Sequence, residues 1–273
     1  MTNRLKIVNR DISNITVIGD IHACYDSLVS VVNQSVAKGI TKFLSVGDLL
    51  DRGTQAVETI QFVYDLIGAG DLVICVGNHD MKFLRHFSGA KVNLALEQQA
   101  TLKLLNDDAI DKFKKIFTDV PTIAIYDSKK HYFISHAFGC RPQELFLKQW
   151  RHDPVYKNTG GTFTDFLNNT EDKLVERKHS ANLLYGMTNG KKEDGENGRP
   201  IRLPISRDID DDMDGWSVLA GHHHSNCFYP ENGNKKIIGL DWSSGEKPHG
   251  KLAALIIPAS GQLDISNLIF STE

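Results

Sequence analysis

The chain has 273 residues, 24% of them charged and 41% hydrophobic, long enough to hide roughly 70–75% of its unfolded surface in a core. Lys plus Arg number 31 against 34 for Asp plus Glu, a net charge of −3, so no global basic field holds a polyanion and a nucleic-acid partner has to be bound locally. The apolar run Leu252–Ile257 is far shorter than the ~20 residues of a bilayer span, which excludes a membrane protein built on helices. In chain order, three short β-rich runs end on a Gly-Asp or Gly-Asn pair: Ile15–Ile18 into Gly19-Asp20, Phe43–Val46 into Gly47-Asp48, and Leu72–Val76 into Gly77-Asn78. Between them, Tyr25–Lys38 and Gln55–Ile67 carry apolar residues at helical spacing, as a helix lying on a sheet does. This βαβ rhythm predicts three parallel strands.

Helical spacing continues through Met81–Phe87 and Leu94–Phe117, and Pro121 closes it. Thr122–Tyr126 and His131–Ser135 then flank the turn at Asp127–Lys130 and predict a hairpin-type pair. From Arg141 to Asp214 the composition turns Gly-, Asn- and Lys-rich around a helical stretch near Asp172–Tyr185, which reads as a cap-like insertion. Strand character returns at Ser217–Ala220, Lys236–Leu240 and Leu252–Ile257. One α/β domain over 1–273, with a cap at about 141–214, is the expected organisation.

The N-terminus has no apolar h-region and no small-residue cleavage site behind its basic residues, so the expected compartment is the cytoplasm. Cys24, Cys75, Cys140 and Cys227 are widely spaced with no C-x-x-C pairing, which fits reduced thiols. Nothing in the sequence sets an oligomeric state.

The residues with chemistry stand where strands stop, the place where open α/β sheets bind ligands. They are G19-D20-I-H22, G47-D48-L-L-D51-R52-G53, G77-N78-H79-D80, S135-H136-A137 and G221-H222. Asp20, His22, Asp48, Asn78, His136 and His222 form a mixed oxygen and nitrogen donor set. It suits divalent transition ions such as Mn, Fe, Zn or Ni and is too nitrogen-rich for a dedicated Mg or Ca cage. With one shared carboxylate, six protein donors and water can fill two adjacent sites.

These five blocks, in this order, resemble the calcineurin-like metallophosphoesterases of the serine/threonine-phosphatase-like branch. The resemblance implies a sandwich of two mixed β-sheets flanked by helices, with a two-metal site at the strand ends and manganese as the first candidate metal. It implies that Asp20, His22 and Asp48 hold one ion and that Asp48, Asn78, His136 and His222 hold the other. Asp48 then bridges, and a metal-bridging hydroxide attacks phosphorus in line. Arg52 and Asn78 would bind the phosphate, Arg52 through its planar fork. His79, one residue past a ligand, would protonate the leaving group with Asp51 orienting it.

Ala23 stands where the family usually has Gly, and His223 and His224 follow His222 as competing donors. The segment Ser180–Gly186, the later glycines and Leu240-Asp241 resemble the phosphatase module of bacterial polynucleotide kinase-phosphatase, although Trp242–Gly245 replaces its cysteine-bearing turn. No G-x-x-x-x-G-K-[ST] run is present, so no kinase half is expected.

The substrate expected first is a phosphorylated nucleic-acid end or nucleotide, a phosphomonoester or 2′,3′-cyclic phosphate. Phosphoprotein comes next and diadenosine tetraphosphate third. A metal-bound binding scaffold is the non-enzymatic alternative, and intact Asp51, Arg52 and His79 argue against it. Arg141 is a weaker candidate for phosphate contact. Asp210, Asp212, Asp214 and Gly215 match only the first half of a calcium loop, with Gly221 at the twelfth position instead of Glu. The three tryptophans and Cys75 read as core.

Overall fold

The structure, a computed structural model, describes residues 4–117, 121–137, 173–176, 181–185, 188–192, 200–202, 216–222, 237–246 and 250–272. Arg141, Trp150, Asp210–Gly215, His223 and His224 lie outside the described residues.

The strands and helices run β1 (Arg4–Asn9), β2 (Ile15–Ile18), α1 (Tyr25–Ala37), β3 (Phe43–Ser45), α2 (Ala56–Gly68), β4 (Leu72–Ile74) and α3 (Asn78–Phe87). They continue α4 (Leu96–Leu104), α5 (Asp107–Phe117), β5 (Thr122–Asp127), β6 (Tyr132–Ser135), β7 (Lys173–Glu176) and α6 (Ala181–Tyr185). The chain closes with β8 (Thr188–Lys192), β9 (Pro200–Arg202), β10 (Ser217–Ala220), β11 (Ile237–Gly239), β12 (Ala253–Ile257) and β13 (Leu268–Phe270). Among the described residues one sheet has the order β11-β10-β6-β5-β1-β7 and a second β13-β12-β2-β3-β4, while β8 and β9 pair alone.

The expected parallel trio is present. Val17 faces Leu44 and Leu44 faces Val73 across β2, β3 and β4. The expected pair β5 and β6 is antiparallel, Ile125 opposite Ile134. Alternation explains why the two sheets stack. Val17, Leu44 and Leu255 of the second sheet share a buried cluster with Ile125, Ile134, Leu219 and Ile238 of the first. The intervening residues Ile18, Phe43, Ala254, Phe133 and Val218 belong to the other cluster, together with Leu28, Val31, Ile60 and Val63 of α1 and α2. Strands buried on both faces carry little polar alternation, which is why they read as continuous apolar runs.

Two expectations are corrected. Leu94–Phe117 is not one helix: Leu105 is extended (ψ 137°), and the Asn106 side chain accepts the Ala109 N–H at 2.8 Å, starting α5 anew. Of the helical stretch expected near Asp172–Tyr185, Lys173–Glu176 is strand β7, antiparallel to β1, and among the described residues Ala181–Tyr185 is helical. Part of the region read as a cap therefore extends a sheet. Trp216 is buried and stacks on His131 with ring centroids 5.0 Å apart, and Cys75 is buried, as expected of core residues.

Candidate metal centre

Register brings the five motifs to one edge. Ile18 pairs with Ser45 and Ser45 with Ile74, so the segments carrying Asp20, Asp48 and Asn78 leave their parallel strands side by side. Ala220 pairs with Ser135, so His136 and His222 emerge together from the other sheet. Gly77 and Gly221 are needed for the close approach. A Cβ on Gly77 would stand 2.0 Å from Asp48 Oδ1, and one on Gly221 would stand 1.8 Å from Asp20 Oδ1.

The loops pay in backbone strain. His22, Ala23, Asp48, Asp51, Arg52 and His222 all have φ between 49° and 88°, a region that costs a non-glycine residue on the order of 1–3 kcal/mol and that clusters at functional sites. Ala23, where the family usually has Gly, adopts the glycine-like angle.

His22 Nδ1 stands 3.2 Å from the Leu50 carbonyl, placing its proton there and aiming Nε2 at Asp48 Oδ2 (3.8 Å) and Asp20 Oδ2 (4.0 Å). That Nε2 is buried with no hydrogen-bond partner. Burial drives the ring's pKa down to about 4, so it is a neutral imidazole with an available lone pair. His136 Nε2 lies 2.8 Å from Asn78 Oδ1, 3.2 Å from His222 Nδ1 and 3.5 Å from Asp48 Oδ2. Burial also lowers the His136 pKa.

Asp20 accepts the His222 N–H at 3.0 Å. Burial, with the charges of Asp241 and Asp48, pushes its carboxyl well above the ordinary value. Burial raises Asp48 too, but His136, His79 and His22 outweigh it and hold that carboxyl below the usual range. Among the described residues two donor groups are close enough to share an ion: His22, Asp48 and His79, and Asp48, His136 and His222. Asp48 belongs to both. Asp20 stands beside the first, and Asn78 touches the second through His136.

His79 Nδ1 meets Asp51 Oδ2 at 2.7 Å, while its Nε2 lies 3.9 Å from Asp48 Oδ2. Burial opposes protonation, but Asp48 and Asp51 together hold the His79 pKa above its ordinary value. Its side chain is 17% exposed where that of His22 is 0%, so His79 faces the opening. Arg52, 20% exposed, forms an ion pair with Glu246 at 3.1 Å.

Two residues shape the site without having been assigned to it from the sequence. Asp80 accepts the Leu49 and Gly77 N–H groups at 2.8 and 3.0 Å, clamping two donor-bearing loops together, while burial and the Asp48 charge push its carboxyl up to about 7. Asp241 is buried, and its charge reaches Asp20, His22 and His136. A signal for it existed: Gly239-Leu-Asp241 also follows a strand end, and β11 pairs with β10, Gly239 opposite Ala220.

A family model, "Calcineurin-like phosphoesterase", matches residues 13–235. The chain belongs to that family, hydrolases of phosphoester bonds that use divalent metals. It is 29% identical over 76% of its length to 87% of a bis(5′-nucleosyl)-tetraphosphatase PrpE [asymmetrical] from Geobacillus sp.. It is also 32% identical to a symmetrical bis(5′-nucleosyl)-tetraphosphatase from Enterobacter sp., over 46% of this chain and 43% of that protein. A solved structure provisionally described as a diadenosine tetraphosphatase superposes with a TM-score of 0.53 at 18% identity, covering 98% of this chain and 99% of that one. A cold-active protein tyrosine phosphatase gives a TM-score of 0.51 at 17% identity, over 94% of this chain and 76% of that one. Both structural likenesses concern the fold. No helix among the described residues is long and apolar enough to cross a membrane.

Proposed function

We propose that this protein hydrolyses phosphate bonds of nucleotides with two divalent ions, manganese first among them. Asp20, His22 and Asp48 would hold one ion, and Asp48, Asn78, His136 and His222 the other. The observation that supports this most is His22 Nε2, buried without a hydrogen-bond partner and facing two carboxylates at 3.8 and 4.0 Å. That separation is too long for a hydrogen bond, yet it suits donors sharing an ion at about 2.0–2.2 Å from each. The buried carboxylates Asp20 and Asp48 likewise call for cationic compensation. When bound, such ions supply an acidified water at neutral pH and neutralise charge building on the phosphoryl group.

The chain's own residues supply the rest. Arg52 offers two parallel N–H donors to non-bridging phosphate oxygens once Glu246 gives way. Asp51 accepts the Nδ1 proton of His79 and, with Asp48, favours the doubly protonated ring against its burial, so that Nε2–H would hand its proton to the leaving oxygen as the bond to phosphorus breaks. Water's oxygen ends on the phosphorus, and the proton goes to the alcohol or nucleotide released.

The relatives named as tetraphosphatases make dinucleoside tetraphosphate the first nucleotide to test. A panel with Mn and Ni would compare dinucleoside tetraphosphate, oligonucleotide 3′-phosphate, 2′,3′-cyclic phosphate and a phosphopeptide. The reading expects kcat/KM for a nucleotide substrate to exceed that for the phosphopeptide at least tenfold; the reverse order would replace nucleotide by phosphoprotein.

A further inference from the structure

Helix α4 packs against expectation. Its inward residues are Gln98 and Thr101, 4% and 2% exposed, while Leu96 is 82% and Leu104 44% exposed. Leu102 and Leu105 reach the core only as partly buried neighbours. Exposing leucines while burying an amide and a hydroxyl is unfavourable unless the polar groups have partners worth the loss.

Both lie against the His79–Asp51 pair. Gln98 Oε1 accepts the Ala95 N–H at 3.1 Å, completing the start of the helix and fixing which way the amide points. The amide's nitrogen is thereby turned to His79 Nδ1, 3.4 Å away; because Nδ1 donates to Asp51, this contact is no hydrogen bond, and it leaves Asp51 as the acceptor of the Nδ1 proton. One turn on, the Thr101 hydroxyl lies 3.4 Å from Asp51 Oδ1 and 3.2 Å from the Glu97 carbonyl. Asp51 is otherwise fixed by the Arg52 N–H at 2.9 Å and by His79 itself, on a backbone at φ 88°. A carboxylate on so strained a turn needs outside support to keep one orientation, and the histidine ring needs the carboxylate on its Nδ1–H to keep Nε2 turned toward the substrate.

We propose that Gln98 and Thr101 are positioning residues that hold Asp51 and His79 in the arrangement needed for proton donation to the leaving group. The inference rests on reading His79 as the acid. Thr101 fixes the carboxylate, and Gln98 closes the back edge of the ring, so that His79 Nε2 stays turned toward the phosphate side.

Thr101→Val removes the hydroxyl at nearly constant shape, and Thr101→Ser restores it. Gln98→Glu keeps the acceptor for Ala95 but sets an oxygen beside His79 Nδ1, a second acceptor that competes with Asp51 for its proton and so loosens the pair, whereas a purely capping role would leave it silent. Measured on the manganese-loaded full chain, kcat and KM for an alkyl phosphate and a nitrophenyl phosphate separate the possibilities, with metal content and melting temperature as controls. Thr101→Val and Gln98→Glu are expected to lower kcat for the alkyl phosphate about tenfold, part of the about 10²–10⁴-fold a placed acid supplies. KM, metal content and the nitrophenyl rate stay within about twofold, and Thr101→Ser recovers the alkyl rate.

Equal losses on both substrates, no loss on either, or no recovery by Ser would overturn the proposal. Should Thr101→Val fold poorly, Thr101→Ala removes the hydroxyl in its place, with Thr101→Ser as the recovery and Gln98→Glu as the second variant. His79→Ala measured alongside separates the two layers. If it shows no alkyl-to-nitrophenyl contrast, the acid assignment fails and this inference with it; if it shows the contrast while the α4 variants do not, only the role of α4 is lost.

Discussion

Left-handed backbone angles gather where the donor atoms are, and the same turns carry Asp51 and Arg52. Different jobs for neighbouring side chains lead to different failures on substitution. Because His79 would act only on the leaving oxygen, His79→Ala should slow an alkyl phosphate about 10²–10⁴-fold while a nitrophenyl phosphate, whose phenolate leaves unaided, slows far less. Arg52 would act on the transferred group, so Arg52→Ala should slow both substrates by a similar factor. A His79 variant equally slow on both would reassign it to ordering the nucleophile or the ions. Asp48 belongs to both donor groups and His22 to one. Metal analysis should therefore find both ions depleted in Asp48→Asn and one weakened in His22→Asn, with the larger activity loss in the former; full metal content and turnover in Asp48→Asn would remove it from the shared position. The donors were legible because each follows a strand end within a short motif. Asp241 shares that signal, following the end of β11; Gln98 and Thr101 do not, since they meet the site across the fold: Thr101 reaches Asp51 fifty positions away, and no local pattern records that.

Elements differ in how plainly the sequence marks them. The strands β2, β3 and β4 stand out as short apolar runs that stop on a Gly-Asp or Gly-Asn pair, and helices α1 and α2 through apolar residues at helical spacing. Strand β1 carries Leu5, Ile7 and Val8, all buried, yet its partners β5 and β7 begin more than a hundred residues later, so nothing nearby announces it. The break between α4 and α5 is a matter of one side chain. Apolar spacing runs through Leu105 and Asn106, but Asn106 caps α5 at the Ala109 N–H. Asn106→Ala should cost about 1 kcal/mol, seen as a fall in melting temperature of roughly 2–4 °C. An Asn106→Asp variant, which keeps the acceptor, should melt close to the parent, and an unchanged Asn106→Ala would mean that tertiary packing alone starts the helix.

At the scale of the molecule, two sheets stacked through one apolar cluster present their strand ends to a common edge, and that edge concentrates buried carboxylates and imidazoles. Such a centre is a liability to the bare chain. Asp20 is raised by burial and by neighbouring carboxylates, so folding without ions has to confine like charges in a dry space. Ions that bind only the folded form should stabilise it by about 2.7 kcal/mol at a hundred times their Kd. Manganese should accordingly raise the melting temperature by roughly 5–10 °C, and chelation should reverse the gain. The most direct test is hydrolysis of a nitrophenyl phosphate by one preparation before and after chelator stripping and again after reloading, with bound metal counted each time. The account predicts no turnover above background when stripped and recovery with manganese as up to two ions per chain return. Stripped protein that hydrolyses the ester as fast as reloaded protein would contradict it.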